Sequence, residues 1–288
     1  MRTYTRNVSN SPATDPRVVA ANQRVHSQLA DQYNETEPHF RPENQAKVRR
    51  RLEEISAAAP SRDRMLDLGC GTGFLLNLAH DLFGSIDGVD ATRAMLDRVD
   101  LGPGNITLHQ GVVEDLPFED NTFDVATAYS FLDHLADHVP VLNEACRVLK
   151  PGGKLYVDLI PNRAFWNSVY SAADAPGRPF GAIVEREINE LVNHEQKLQE
   201  QFGIDPVDWQ FAEPAKSGGK GFDADTLRAE TAAAGFDVEI RFEWFLGQAV
   251  VMHGTSMEAA EIIDTHLRDL LPTSAHLFKY IVLTGTKR

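Results

Sequence analysis

Leu66-Asp67-Leu68 reads as a short apolar strand that runs into Gly69-Cys70-Gly71-Thr72-Gly73, and a helical stretch from Phe74 to Phe83 starts at once. Three glycines in five residues between a strand and a helix permit positive φ. They let the backbone approach a ligand at the carboxyl edge of a sheet. The same texture continues, with SIDGVD as a strand, ATRAMLDRV as a helix, NITLHQ and FDVATAY as strands, HVPVLNEACRVL as a helix and KLYVDLI as a strand. Strands alternating with helices at this spacing predict βαβ units with right-handed crossovers and helices on both faces of a parallel sheet. The expected class is α/β, a Rossmann-like, doubly wound, mostly parallel sheet.

The rest of the chain is arranged around that unit. Residues 1–16, rich in Ser, Thr, Asn and Pro, predict a flexible arm. Helical patterning over 17–60 predicts an N-terminal helical lid, with Pro42 in a first turn and Pro60 at a helix end. Residues 61–160 form the expected core. The alternation breaks over 161–221, an excursion of about 60 residues that exceeds normal connection lengths and predicts an inserted cap over a substrate. It holds a helix-like stretch, AIVEREINELVNHEQKLQEQF, and a loop ending SGGKG. Residues 222–288 are expected to complete the sheet: a helix capped by Asp223 and stopped at Gly235, the strand DVEIRFEWF, the helix SMEAAEIIDTHLRDLL and the strand KYIVLTGT.

Composition narrows the partners. Hydrophobic residues at 42% and charged residues at 24% are ordinary for a globular protein, which argues against wholesale disorder. A net charge of −14 repels a phosphate backbone, so no nucleic-acid partner is expected. The basic run Arg49-Arg50-Arg51 shares its helix with Glu53 and Glu54 and reads as a solvated face. No apolar run approaches the ~18–20 residues that span a bilayer, and the N-terminal stretch lacks the apolar core of a signal peptide. Cys70 and Cys146 are too few for a disulfide framework or a closed zinc site, and no metal-ligand spacing is evident. The expectation is a cytoplasmic, metal-independent protein with no membrane partner.

Two ligand classes compete for the glycine loop. A dinucleotide fingerprint needs a third glycine or alanine, but the sixth position is Phe74 counted from Gly69 and Leu76 counted from Gly71. That excludes a nicotinamide oxidoreductase. Asp67, two residues before the first glycine, suits a positive group such as an α-ammonium. Asp90 ends the second strand, 17 residues after Gly73, where a carboxylate accepts both hydroxyls of a ribose. A ligand with an amino acid at one end and a ribose at the other is S-adenosylmethionine.

Five stretches then carry a resemblance: MLDLGCGTGF, GVDATRAML, EDLPFEDNTFDVA, SFLDHLADH and RVLKPGGKLYV. From Met65 to about Val157, a third of the chain, their order and spacing resemble a class I S-adenosylmethionine-dependent methyltransferase. The likeness is to the small-molecule type that includes ubiquinone-biosynthesis methyltransferases. It implies a seven-stranded sheet and these roles. Gly69, Cys70 and Gly71 would line the methionine and ribose; Asp67 would sit near the amino group; Asp90 would hold the ribose hydroxyls; Ala91 and Met95 would pack near the adenine. Ala128 or Tyr129 would offer a carbonyl to the methionine end. One departure matters: the family usually reads Gly-Asp-Ala where this chain has Gly111-Val112-Val113. Val113 backbone would still meet the adenine ring. Glu114 either reaches the adenine amino group from a shifted position or joins Asp115 as a solvated turn residue.

Methyl transfer from a sulfonium needs alignment and exclusion of water, and a base only where the acceptor loses a proton. His134, just beyond the fourth core strand, is a candidate base or orienting group, with a capping role as the alternative. Tyr33 matches the place where related enzymes lay an N-terminal aromatic over the cofactor. Trp166, Tyr170 and Trp209 would form an aromatic acceptor pocket or simply the cap's own core. The reading is therefore transfer of a methyl group from S-adenosylmethionine to an O, N or C nucleophile of a small-molecule metabolite, leaving S-adenosylhomocysteine. The alternative is a binding module of the same fold without transfer. The oligomeric state stays open, a homodimer included.

Overall fold

In β2 (Arg64–Leu68), β3 (Ser85–Asp90) and β5 (Phe123–Tyr129) nearly every residue is buried, so both faces of these strands are covered. The computed structural model describes residues 5–6, 14–174, 189, 193, 196–197, 200–217, 221–243 and 256–288. With β1 (Thr5–Arg6), β4 (Ile106–Gln110), β6 (Leu149–Pro161), β7 (Phe236–Glu243) and β8 (Tyr280–Lys287), the sheet order is β1-β4-β3-β2-β5-β6-β8-β7. All pairings as far as β6 are parallel; β8 runs antiparallel to both β6 and β7. Strands β2 to β8 are the seven of the expected fold. The eighth corrects the reading of a wholly loose arm: Thr5 and Arg6 pair with His109 and Gln110 and extend the sheet's edge.

The strand order reverses beside β2, which has β3 on one side and β5 on the other. Chains leaving β2 and β5 therefore diverge and open a crevice at their carboxyl ends. The pleat sends Leu66 and Leu68 to one face, where they join a core with α6 (Val139–Val148) and α10 (Ala224–Ala233). Met65 faces the other side, under α3 (Pro42–Ala58), α4 (Phe74–Ala79) and α5 (Arg93–Leu96). Helices α4 and α5 are shorter than the sequence suggests; α4 is entered from a left-handed Gly73.

Helix α1 (Pro16–Leu29) is capped by Asp15, which accepts from Arg17 N, and is followed by the single turn α2 (Tyr33–Thr36). Within 161–221 the described helices are α7 (Arg163–Asp174), α8 (Pro206–Ala212) and α9 (Pro214–Ser217). The long helix expected over 182–202, the SGGKG loop and the end of the strand after Glu243 lie for the most part outside the described residues. Asp223 caps α10 by accepting from Thr226 N, and Gly235 follows it at φ +113°. Helix α11 (Met257–Asp269) starts from a Ser256 cap and leads to β8. Among the described residues no helix is long and apolar enough to cross a membrane.

The close stacking of the glycine loop on β3 depends on one further glycine. A Cβ on Gly88 would stand 2.9 Å from both Cys70 Sγ and Leu76 Cδ1. Gly88→Ala is expected to lower stability by ~1–3 kcal/mol, the usual cost of overpacking a filled core. An unchanged urea midpoint would show that the Cys70 and Leu76 side chains yield freely.

Candidate functional site

The loop after β2 is held by its own backbone. Gly69 N and Cys70 N both donate to Val89 O, at 2.8 and 3.0 Å, folding the turn back onto the end of β3. Gly69 and Gly71 have φ of +69° and +52°, which L side chains rarely adopt. Added Cβ atoms would fare differently at the two positions. At Gly69 one would meet the Phe131 ring at 2.0 Å, whereas at Gly71 it would meet only Met95 Cε, at 3.6 Å. Gly71 therefore faces open space.

That space is a cleft of about 960 Å³, its open mouth included, at the switch point of the sheet. Asp90 stands on one side of it, accepting from Gly71 N at 2.9 Å and Thr92 N at 2.7 Å. Asp67, 2% exposed, stands deeper and accepts from Thr127 Oγ1 at 2.6 Å. Burial pushes the Asp67 carboxyl up to about 7, the Thr127 bond opposes this, and the Asp90 charge adds to it. Burial likewise raises Asp90, against the bonds from Thr92 and Gly71. Among the described residues neither carboxylate has a cationic partner within ion-pair distance. A buried and a half-buried acid in an open cleft, without a counter-charge among the described residues, fit a ligand that brings a cation and hydroxyls.

The sequence-derived candidates converge here. Asp67, Gly69, Cys70, Gly71, Asp90, Ala91, Met95, Val112, Val113, Glu114, Tyr129, His134 and Tyr33 all line the cleft. Val112 contributes an apolar wall where the resemblance leads one to expect an acid, and burial raises the neighbouring Glu114 carboxyl. Ala128 does not reach the cleft. Strand alternation turns it, 1% exposed, into the core under α6, and leaves Tyr129 of the two on the cleft wall. The aromatic trio is not assembled either. Trp166 and Tyr170 pair on α7 with ring centroids 6.0 Å apart, while Trp209 packs against Ala21, Val25 and Leu29 of α1. None of the three lines the cleft.

Sequence reading missed the wall supplied by α1 and the turn after it: Asp15, Val18, Val19, Asn22, His26 and His39. The signal was present. Asn22 and His26 lie four residues apart beside the buried stripe Val18-Ala21-Val25-Leu29, where solvent-facing polar residues do not belong. Three bonds tie this segment to the loops around the cleft: Asn22 Nδ2 to His134 O, Gln23 Nε2 to Ala91 O, and Thr72 Oγ1 to Asn34 Oδ1.

Behind His134 lies a buried group of charges that sequence spacing did not reveal. Asp133, His134 and Glu213 bring their ligand-type atoms within 4.8 Å of one another, from positions that no metal-ligand spacing in the sequence links. The positive charge among them is Lys216, with Nζ 2.6 Å from Asp133 Oδ2 and 3.2 Å from Glu213 Oε2. Lys279 lies close by, its ammonium over the rings of Trp166 and Tyr280 at 5.2 and 5.1 Å. Burial, and then the Lys216 charge, push it down to about 7.

Comparison with known proteins accounts for this geometry. The methyltransferase-domain family matches residues 66–157. A demethylmenaquinone methyltransferase of Shouchella clausii is 41% identical over 98 residues, covering 31% of this chain and 42% of that protein. A ubiquinone biosynthesis O-methyltransferase of Paracidovorax citrulli is 32% identical over 145 residues, covering 48% and 60%. The chain thus spans about half the length of the curated relatives it matches. Among solved structures, the [4+2]-cyclase SpnF superposes with a TM-score of 0.55 at 18% identity, covering 96% of this chain and 99% of that one. A possible histamine N-methyltransferase of Thermotoga maritima gives 0.51 at 17% identity, with coverages of 92% and 99%. These last two likenesses establish the fold. The family match, the glycine loop and the two aspartates fall on the same segment, and residues 66–157 match a methyltransferase domain.

Proposed function

We propose that this chain transfers a methyl group from S-adenosylmethionine to an oxygen, nitrogen or carbon nucleophile of a small-molecule metabolite. The observation that carries the proposal is the pair of carboxylates, buried Asp67 and half-buried Asp90, set on either side of an open Gly71 in a cleft roofed by α1. Asp67 would take the ligand's ammonium and Asp90 its ribose hydroxyls, while the left-handed Gly71 leaves room for the chain between them. Tyr33, His39 and Tyr129 form an aromatic wall that would keep water from the sulfonium. A roofed cleft and a net charge of −14 favour a small acceptor over nucleic acid. Relatives named for menaquinone and ubiquinone synthesis point to a partly apolar one. Residues 17–60 would act as the lid and 161–221 as the cap.

The transfer would need no metal, because the Lys216 ammonium already holds the place between Asp133 and Glu213. Treatment with a chelator should leave the rate unchanged, and a loss restored by a divalent cation would refute that part. Asp90→Ala removes a charged hydrogen-bond acceptor and is expected to weaken S-adenosylhomocysteine binding by ~1–3 kcal/mol, roughly ten- to hundredfold. Calorimetry showing equal affinity would sink the ribose assignment. The whole reading is tested by incubating the protein with metabolite pools and an isotopically labelled methyl donor. A labelled small molecule supports it; tight S-adenosylhomocysteine binding with no labelled product favours a module that binds without transferring.

A further inference from the structure

The cleft is lined by acids and by no fixed cation. Asp15, Asp67, Asp90 and Glu114 border it, and among the described residues no lysine or arginine does. Asp15 is balanced from the solvent side by the exposed Arg17, 2.7 Å away; the other three have no ion-pair partner among the described residues. Two of the three imidazoles at the wall supply no charge. Burial holds His39 down at about 4, and burial with the neighbouring His134 holds His26 down at about 3. His134 donates from Nδ1 to Ala212 O at 2.9 Å, and its Nε2 stands 4.0 Å from Asp133 Oδ1, so a proton taken up there would be answered by a carboxylate.

Four rings line the same cleft: Tyr33, His39, Phe74 and Tyr129. His39 is their hub, with its centroid 5.9 Å from Tyr33, 4.7 Å from Phe74 and 5.6 Å from Tyr129, and Phe74 and Tyr129 lie 5.0 Å apart. Burial raises both phenols well above their ordinary value, so these rings stay neutral. The charges that act on Tyr33 are Glu37, Asp90 and Asp133 against Lys216, which is itself taken up between Asp133 and Glu213. Those that act on Tyr129 are Asp158 and Glu243, the second paired with Lys47 and Arg51. An aromatic face is negative, so a wall of neutral rings among unpaired carboxylates attracts a positively charged atom more than an uncharged one of equal size.

We infer, resting on the methyltransferase reading above, that this ring wall and the acids around it tell the methyl donor from its spent product by charge. The sulfonium of S-adenosylmethionine and the thioether of S-adenosylhomocysteine differ by one methyl group and one unit of positive charge. Their ammonium, carboxylate, ribose and adenine are shared. In the transfer the acceptor atom bonds the methyl carbon, the carbon–sulfur bond breaks and its electron pair stays on sulfur. The positive charge leaves with the methyl group, and the ring wall then faces a neutral thioether. The cleft therefore slackens on the product as soon as the reaction is over, and the next donor displaces it. Accumulated S-adenosylhomocysteine is a weak competitor of this protein.

The test is calorimetry on the full-length protein at pH 8 with three ligands: S-adenosylmethionine, S-adenosylhomocysteine, and sinefungin, which carries an ammonium where the donor has its sulfonium. The two charged ligands should bind about tenfold more tightly than S-adenosylhomocysteine, or better. Tyr33→Leu should narrow that ratio severalfold, while Tyr33→Phe, which keeps the ring, should preserve it. The ratio is the readout because damage to the fold lowers all three affinities together and leaves it unchanged. Product bound as tightly as donor by the wild-type protein overturns the inference whatever the variants do, and so does a Tyr33→Leu ratio equal to that of wild type. A protein that binds none of the three overturns the methyltransferase reading and this inference with it; one that binds all three equally overturns the inference alone.

Discussion

Lys216→Met is expected to destabilise the protein by about 3–5 kcal/mol at pH 7, the cost of leaving a buried charge without its partner. Asp133 is 1% exposed, and the Lys216 ammonium 2.6 Å from its Oδ2 is what compensates its charge. Burial alone would raise the Asp133 carboxyl and lower the Lys216 ammonium. Their mutual attraction, with Glu213 adding to it on the lysine, reverses both directions. Because Asp133 is held below its ordinary value of 3.8, its contribution is present above that pH and is lost only as acid drives it through the depressed value. In the variant burial is left to raise the same carboxyl, so the deficit should be greatest at pH 8 and shrink as falling pH protonates it. Removing both charges, in Lys216→Met with Asp133→Asn, should recover most of the loss. Urea unfolding of the four proteins gives the coupling directly; a single-variant loss under about 1 kcal/mol would place the pair among superficial ones. The turn that carries Asp133 also carries His134, so the same substitution should loosen the Ala212 contact that fixes that imidazole.

What the sequence disclosed about this site follows from how far apart its parts lie. Strand β2, the glycine loop, α4 and β3 follow one another directly, and each residue there is constrained by its near neighbours; Asp67, Gly71 and Asp90 were readable for that reason. Strand alternation decides whether Ala128 or Tyr129 meets the cleft, but only once the register of β5 is known, and a one-residue choice exchanges the two faces. Trp209 was drawn to the acceptor by its type and lies instead against α1, because an aromatic on a short helix finds the nearest apolar stripe. The roof and the charge group are long-range. Asn22 bonds a carbonyl 112 residues away, and Lys216 pairs with a residue from a different segment altogether. No local pattern marks such partners. Their trace is negative: polar side chains at positions where a helix would otherwise bury carbon.

Asp67→Asn should move stability and binding in opposite directions. The unfolded chain ionises Asp67 above about 3.8, whereas the native protein without ligand does so only near 7. Stability owed to this group is therefore complete below 3.8 and is lost as the pH climbs to about 7, beyond which the native state carries a buried carboxylate with no cation beside it. Asparagine removes that charge and keeps an oxygen for the Thr127 hydroxyl. At pH 8 the unliganded variant should consequently be the more stable of the two, by roughly 2–4 kcal/mol at most. Its affinity for S-adenosylhomocysteine should nonetheless fall at least tenfold, because the ligand's ammonium loses the carboxylate that awaits it. Wild-type binding should also release protons below pH 7, since a cation favours the ionised acid, and its affinity should rise with pH to about 7 and then level. Calorimetry in two buffers of different ionisation enthalpy measures both quantities. A variant that retains the wild-type pH profile would show that some other group titrates. A variant that binds as tightly as wild type would remove the ammonium from Asp67, and with it the reason for burying an acid at the mouth of the glycine loop.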